Sequence, residues 1–366
     1  MNIKLDRLYS IIKDQSLTGV ILTDGYNIEY LSGYKGHTGI VLILEKNKYI
    51  LTDSRYTEQA GNEAPDYECI DIGMKGYSKT IHKIIEDTYE NNLPDKSELI
   101  IGFEDKHISY SQYKAISDEL GDKITLSELG DTVNLLRMIK SKDEIELIAK
   151  AEAIGDEAFN HIINFIEVGM TEKQVALELE YVMKSLGADG LSFDTIVASG
   201  SNSSMPHAVP TDKVIEEGDF VTLDFGCVYK GYCSDMTRTV YMGDQITEKQ
   251  LEVYTVVLNA QKEALKHIKA GMVCSDIDKI ARDYITEAGY GQYFGHGLGH
   301  GVGLYIHEEP RFSRTCDVLL KPGMVLSVEP GIYLPGEFGV RIEDLIVVTE
   351  DGYENLASSP KVLILM

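Results

Sequence analysis

Two carboxylates stand in a stretch that would otherwise be plain hairpin core. Phe220–Val240, FVTLDFGCVYKGYCSDMTRTV, holds an apolar, β-branched run over Phe220–Phe225 and a second over Tyr232–Tyr241. Gly226 and Lys230-Gly231 punctuate the interval as turns, so the chain is expected to go out and come back. Asp224 interrupts the first run and Asp235 lies in the second, eleven residues later, which lets a hairpin bring the two side by side. A buried pair of like charges costs several kcal/mol unless a cation compensates it. On this segment alone, turn or cap aspartates satisfied by backbone N–H groups compete with that reading.

Three other stretches decide between them. Gly295–Glu308, GHGLGHGVGLYIHE, carries His296, His300 and His307, three of the nine histidines within twelve residues, among glycines that let backbone approach a ligand. Ser327–Tyr333, SVEPGIY, sets Glu329 in an apolar run just before a Pro-Gly turn, and Val340–Val348, VRIEDLIVV, does the same to Glu343. In a strand, Arg341 and Glu343 point to one face and Asp344 to the other. Asp224, Asp235, Glu329 and Glu343 together carry the charge that two divalent cations would cancel, with His300 as one neutral nitrogen donor. Oxygen-rich ligation with a single imidazole suits manganese, cobalt or zinc in an open site rather than a tetrahedral structural zinc. Such a paired site lowers the pKa of a bridging water until it is a nucleophile near neutral pH, which is hydrolase chemistry.

The elements that must position these residues fall into two groups. Over the first ~130 residues, apolar runs of strand length (Gly19–Thr23, Gly39–Glu45, Lys48–Thr52, Leu99–Phe103) alternate with helical spacing (Asp6–Lys13, Tyr77–Tyr89, Ser109–Leu120). That pattern predicts an α/β domain with a partly parallel sheet, in which the second and third runs pair through a Lys46-Asn47 turn. After a charged bridge at Leu135–Lys142, Ser141-x-x-Glu144 and Thr171-x-x-Gln174 read as capping boxes for helices ending near Glu167 and Ser185. Helices are predicted at Thr247–Ile268 and Ser275–Ala288, and strands at Thr195–Ser199, Phe220–Phe225, Tyr232–Tyr241, Val325–Tyr333 and Gly339–Thr349. The second half is thus expected as helices on a mainly antiparallel sheet. Helix, helix, then acid-bearing strands occurs twice, at 143–240 and 247–349. The boundary is expected near Asn134, giving domains 1–133 and 134–366.

Composition excludes several classes. With 34 basic against 59 acidic residues in 366, the formal net charge is −25, a poor match to nucleic acid or an anionic membrane. No run approaches the ~18 apolar residues that cross a bilayer, and Met1–Leu5 lacks a signal pattern, so a cytoplasmic location is expected. The five cysteines are scattered without close metal-binding spacing. Reduced thiols are expected, with Cys227 and Cys233 as packing residues.

Taken together, LDFG…GYCSDMTRT, GHGLGHGVGLYIHE, VEPGIY and VRIED, in that order, resemble the pita-bread metallopeptidases, and within them the proline-specific branch of aminopeptidase P and prolidase. The resemblance spans the chain: NIEYLSGYKG and LTDSRYTEQA resemble the amino-terminal domain of aminopeptidase P and creatinase. It implies an α+β chain, a pita-bread (creatinase/aminopeptidase) fold preceded by a creatinase-like α/β domain. It further implies two divalent metal ions, manganese first with cobalt or zinc as alternatives, held by Asp224, Asp235, His300, Glu329 and Glu343, with Asp235 and Glu343 bridging. His207, in SSMPHAVP, matches the upstream histidine near substrate, and His296 and His307 match the two that contact substrate and the tetrahedral intermediate. Glu329 matches the proton shuttle, while Arg341 and Tyr333 match groups that orient the carboxylates. The expected activity is an Xaa-Pro aminopeptidase, in which metal-bridging hydroxide attacks the bond before proline; the alternative is an Xaa-Pro dipeptidase restricted to dipeptides. Short proline-containing peptides are the expected substrates and a homodimer the expected assembly. His37 and Arg55 lie in loops that could approach a partner's site, although surface ion pairing is the plainer reading. A methionine aminopeptidase usually lacks the leading domain, and a non-catalytic binding module of this fold would have lost ligands; all five are present.

Overall fold

The computed structural model describes residues 3–36, 38–45, 47–89 and 99–366. Its contacts divide the chain into two compact units between Arg137 and Met138. His37 and Lys46 lie outside the described residues.

The first unit runs α1 (Ile3–Asp14), β1 (Gly19–Leu22), α2 (Gly25–Ser32), β2 (Ile40–Leu44), β3 (Asn47–Thr52), α3 (Thr57–Glu63), β4 (Glu68–Asp71), α4 (Gly76–Tyr89), β5 (Leu99–Phe103), α5 (Tyr110–Leu120), β6 (Ile124–Glu128) and α6 (Thr132–Leu136). One six-stranded sheet has the order β4-β3-β2-β1-β5-β6. It is mixed, as the alternation implied: β1/β5, β3/β4 and β5/β6 are parallel, β1/β2 and β2/β3 antiparallel. β1 and β2 are buried along their whole length, which is why their residues are apolar without alternation. The helices α2 and α3, of eight and seven residues, are too short for a helical period to stand out in the sequence. Arg55 pairs with Asp53 on the surface, at 2.8 Å.

The second unit opens with two capped helices, α7 (Lys142–Ile162) and α8 (Glu172–Ser185), and the Ser141–Glu144 and Thr171–Gln174 boxes are both formed. α7 ends five residues short of Glu167: Gly169 takes φ 97° and gives its N–H to Ile215, which turns the chain away. There follow β7 (Gly190–Leu191), β8 (Ile196–Ser199), β9 (Phe220–Phe225), β10 (Cys227–Tyr229), β11 (Tyr232–Cys233) and β12 (Met236–Tyr241). Next are α9 (Glu248–Leu265), α10 (Cys274–Glu287), β13 (Gly299–Gly301), β14 (Glu308–Phe312), β15 (Val325–Val328), β16 (Gly331–Leu334), β17 (Phe338–Arg341), β18 (Asp344–Val348) and β19 (Tyr353–Asn355).

All strand pairs here are antiparallel, but they form four small sheets, ordered β11-β10-β7, β12-β9-β8, β14-β13-β15-β18-β19 and β16-β17. Three runs expected as single strands are each broken in two: 232–241 at Ser234-Asp235, 325–333 at Glu329-Pro330 and 339–349 at Ile342-Glu343. Proline has no N–H to give a ladder, which accounts for the second break. α7 and α8 pack on the β12-β9-β8 sheet through Phe159, Leu179, Leu223 and Phe225, all fully buried. α9 and α10 pack on the five-stranded sheet through Val257, Ile277, Leu326 and Ile346. The doubled arrangement of helix pair and acid-bearing strands is therefore present in the fold. No helix among the described residues is long and apolar enough to cross a membrane.

Candidate active site

Each acid sits at or beside a place where a strand ends. Asp224 is the penultimate residue of β9 and lies opposite Thr237 of β12. Asp235 is not its direct cross-strand partner; it occupies the break before β12, where its N–H donates to Glu152 of α7 at 3.3 Å. Glu343 fills the break between β17 and β18. Its N–H donates to the Thr237 carbonyl at 3.1 Å, and its Oε2 accepts from the Thr237 hydroxyl at 2.7 Å. One donor oxygen from each of Asp224, Asp235 and Glu343 lies within 4.8 Å of the others.

His300 and Glu329 close the group from the five-stranded sheet. A Cβ at Gly299 would fall 2.0 Å from the Ser327 carbonyl oxygen, so glycine is needed there for β13 to lie against β15. The His300 N–H donates to Ser327 Oγ at 3.1 Å, and that hydroxyl donates to Glu329 Oε1 at 3.1 Å. His300 Nδ1 faces the Gly301 carbonyl at 3.1 Å, which can only accept, so the ring proton is on Nδ1. The Nε2 lone pair then points to Asp235 Oδ2 at 3.5 Å and Glu329 Oε1 at 3.4 Å.

The electrostatics fit a cation. Burial, followed by repulsion from Glu343 and Asp224, holds the Asp235 carboxyl well above the usual carboxylate range. Glu343 is raised in the same way, by burial and then by Glu329 and Asp224. Burial pushes Glu329 up to about 7, with Arg341 pulling the other way. Burial and then His307 hold His300 down to about 3, leaving its lone pair available. Asp224 Oδ1 and Glu343 Oε1 are buried and have no hydrogen-bond partner among the described residues. Orphaned buried carboxylate oxygens are costly, and a divalent ion would satisfy both. Four carboxylates and one imidazole, brought together here, have the donor chemistry to suit a divalent cation.

A chain of contacts braces the acids from behind. The Arg341 guanidinium forms an ion pair with Asp224 and donates to Thr237 Oγ1 at 3.2 Å and Tyr333 Oη at 2.8 Å. Burial raises the Tyr333 phenol to about 12, so it keeps its proton. His296 Nδ1 faces the Gly297 carbonyl at 2.8 Å and therefore carries the hydrogen, and Nε2 accepts from Tyr333 Oη at 2.9 Å. Burial, then Arg341, lowers His296 to about 4. Both ring nitrogens of His296 are engaged with protein groups. His307, its ring 4.6 Å from that of His300, and His207 are both exposed. Both line the same cavity of about 600 Å³ as the acids, together with Arg311 and the apolar Phe193 and Ile306.

Two supports were not legible in the motifs. Asp278 and Arg282 of α10 form a two-pronged ion pair at 2.8 and 2.7 Å. Arg282 also donates to the carbonyls of Phe294, at 3.0 Å, and His296, at 2.7 Å. Asp278 Oδ1 accepts from the Leu298 N–H at 3.0 Å, and the Leu298 carbonyl accepts from Glu329 at 2.8 Å. Their i, i+4 spacing was visible, but on an amphipathic helix it reads as a solvated pair. Thr237 and Ser327 carry no sequence signal beyond adjacency to the acids. Cys227 and Cys233 are buried free thiols that face the carbonyls of Ala151 and Leu304.

Comparison with known proteins shows the family. Residues 146–350 match the model of metallopeptidase family M24, and residues 4–139 match the Creatinase/Prolidase N-terminal domain. The chain is 43% identical to a solved Xaa-Pro dipeptidase from Bacillus anthracis, with a TM-score of 0.91 over 99% of both chains. It is 38% identical to the Xaa-Pro dipeptidase of Pyrococcus furiosus over 100% of both sequences. A solved X-Pro aminopeptidase from Thermotoga maritima is 38% identical, with a TM-score of 0.88 over 99% of both chains. The chain therefore belongs to metallopeptidase family M24, with a creatinase/prolidase amino-terminal domain ahead of the peptidase domain.

Proposed function

We propose that this protein is an Xaa-Pro dipeptidase, a metallo-exopeptidase that hydrolyses the bond before proline in short peptides. The observation that carries the chemistry is the group of Asp224, partly buried, with the buried Asp235 and Glu343, donor atoms within 4.8 Å, on the wall of a peptide-sized cavity. The choice of dipeptides over longer chains rests on the relatives named Xaa-Pro dipeptidase, at 43% and 38% identity. This reverses the order expected from the motifs, which put the aminopeptidase first. The relative named X-Pro aminopeptidase, at 38% identity, keeps that activity as the second reading.

In this proposal Asp224, Asp235, His300, Glu329 and Glu343 would hold two divalent ions, manganese first, with Asp235 and Glu343 as the ligands that both ions would share. Such ions supply Lewis-acid polarisation of a carbonyl and a water of lowered pKa. Arg341, through Asp224 and Thr237, fixes the carboxylates so that they need not reorganise. His296, neutral and bonded to Tyr333, braces Arg341 from the cavity side. His307 and His207 offer ring N–H groups to the substrate carbonyl and carboxylate ends. Glu329 would pass a proton from its carboxyl to the departing proline nitrogen, which leaves poorly unprotonated. The same reading makes the protein a cytoplasmic homodimer, which fractionation and light scattering would test.

The deciding assay is product release from Ala-Pro, Ala-Pro-Ala and Met-Ala by metal-stripped protein with manganese added back. Cleavage of Ala-Pro alone is expected. Cleavage of both proline peptides would make it an aminopeptidase P, and cleavage of Met-Ala alone would refute proline specificity.

A further inference from the structure

Five residues of the cavity wall, Pro206–Pro210, come from one excursion of the chain between Ser199 and Thr211. This excursion holds His207 and two exposed apolar side chains, Met205 and Val209. A buried side chain of α8 bridges its neck, where Lys213 Nζ also donates to Ser199 Oγ at 2.9 Å and the Lys173 N–H to the Thr211 carbonyl at 3.2 Å. Glu172, the first residue of α8, is fully buried. Its Oε1 accepts from the Ser199 N–H at 2.7 Å, Ser199 Oγ at 3.0 Å and Asn202 Nδ2 at 3.0 Å. Its Oε2 accepts from the Thr211 N–H at 3.0 Å and Thr211 Oγ1 at 2.7 Å. Two backbone donors twelve residues apart thus converge on one carboxylate, which defines a closed loop of the Ω type. The position at the start of a capped helix favours the negative charge.

The loop has a second fastening near its middle. Ser203 Oγ accepts from the Gly339 N–H at 2.8 Å, and a Cβ at Gly339 would lie 2.1 Å from the Ser203 carbonyl oxygen. Arg341 donates to the Pro206 carbonyl at 3.3 Å. Between these anchors and Thr211, the tip that holds His207 is fixed from the C-terminal side at Thr211, by the Glu172 carboxylate and the Lys173 N–H.

We infer that Glu172 is a positioning residue for substrate: by closing the neck of the 199–211 loop it sets where His207 and the apolar tip stand over the cavity. The inference rests on the proposed peptidase reading of that cavity. A carboxylate is required because five donors converge on two oxygens, and a glutamine would turn one of those acceptors into a donor facing donors.

The test is Glu172→Gln, with Thr211→Val and Asn202→Ala as milder variants that keep the carboxylate should the first fail to fold. Hydrogen exchange of the 199–211 segment, metal content, and kcat and KM for Ala-Pro are measured on the metal-loaded protein. Expected are exchange faster by about tenfold, KM raised by about tenfold, and unchanged metal content, since one or more charge-assisted bonds are lost. Unchanged exchange would overturn the anchoring role. Faster exchange with kcat and KM both unchanged would overturn the link to substrate, and loss of metal would reassign Glu172 to the metal centre. Failure of the wild-type protein to cleave any of the peptides would refute the peptidase reading, and this inference with it, whereas failure confined to the variants refutes the inference alone.

Discussion

Replacing Asp278 by asparagine tests whether the α10 clamp supports the site. The carboxylate is fully buried, and the Arg282 side chain is only 12% exposed, so the variant leaves a guanidinium without its counter-charge in a poorly hydrated place. Breaking a buried pair from one side costs about 3–5 kcal/mol. Asparagine keeps one acceptor for the Leu298 N–H, and Arg282 keeps two carbonyls, so the lower end, about 3 kcal/mol, is expected. For a unit of this size each kcal/mol moves the melting point by roughly 2–4 °C, giving a drop of roughly 6–12 °C. The loop from Phe294 to Leu298 is held only partly after this change, and His296 hangs from it. A displacement of about 1 Å there is worth up to about a hundredfold in kcat. The measurement is a double-mutant cycle with Arg282→Met, read by urea unfolding and by turnover of Ala-Pro. The two changes should be less than additive in stability, because removing both charges removes the uncompensated one. Additive losses, or an Asp278→Asn variant that melts within about 2 °C of wild type, would refute the reasoning.

Asp235→Asn should reduce activity to a few per cent or less with the fold retained. It should also raise the melting point of the metal-stripped protein, because one member of a repelling group of acids is gone; a lower melting point would contradict the assigned repulsion. Chelation should abolish peptide cleavage, and added manganese or cobalt should restore it; activity indifferent to chelator would contradict the metal centre. His296 contributes one limb to the pH dependence of stability: it stays neutral in the fold down to about 4 but takes up a proton near 6.5 when unfolded. As pH falls between these values only the unfolded state gains this proton, so the His296 contribution is lost with falling pH, by about 3 kcal/mol at 1.36 kcal/mol per pH unit, while the raised carboxyl of Glu329 acts in the opposite sense. His296→Gln should flatten that limb of the stability curve by about this amount, and equal acid losses in both proteins would contradict it.

The strands and helices that carry the site were legible because their residues obey local rules. Thr171, Ser141, Thr247 and Ser109 all cap the helices that their spacing announces. The acids were legible for the opposite reason: Asp224, Glu329 and Glu343 violate apolar runs, and a violation in a buried strand asks for a ligand. What stayed hidden was long-range. Val325–Tyr333 reads as one strand, because apolar composition says that both halves are buried but not that they enter different sheets. Asp278, Arg282 and Glu172 read as ordinary helix charges, and only tertiary packing turns them inward toward the site loops.

The breaks that the sequence concealed are what a cluster of carboxylates requires. Along a regular strand, residues on one face are separated by roughly 6.6 Å, whereas donors to one ion at about 2.1 Å from it can lie at most roughly 4.2 Å apart. Two ligands from neighbouring same-face positions of one straight strand must therefore lean toward each other to share an ion. The β9/β12 ladder does not set the two hairpin acids opposite each other, since its register sets Asp224 opposite Thr237 rather than Asp235. The chain solves this by ending ladders at the site. β12 begins just after Asp235, β15 stops just before Glu329, and β18 begins just after Glu343, so each acid is freed from the pleat and can turn toward the others. Thr237 and Ser327, each bonded to an acid or the histidine beside it, restore the order that the lost ladder bonds would have given. The segments that look least regular are thus the ones whose geometry the function most constrains.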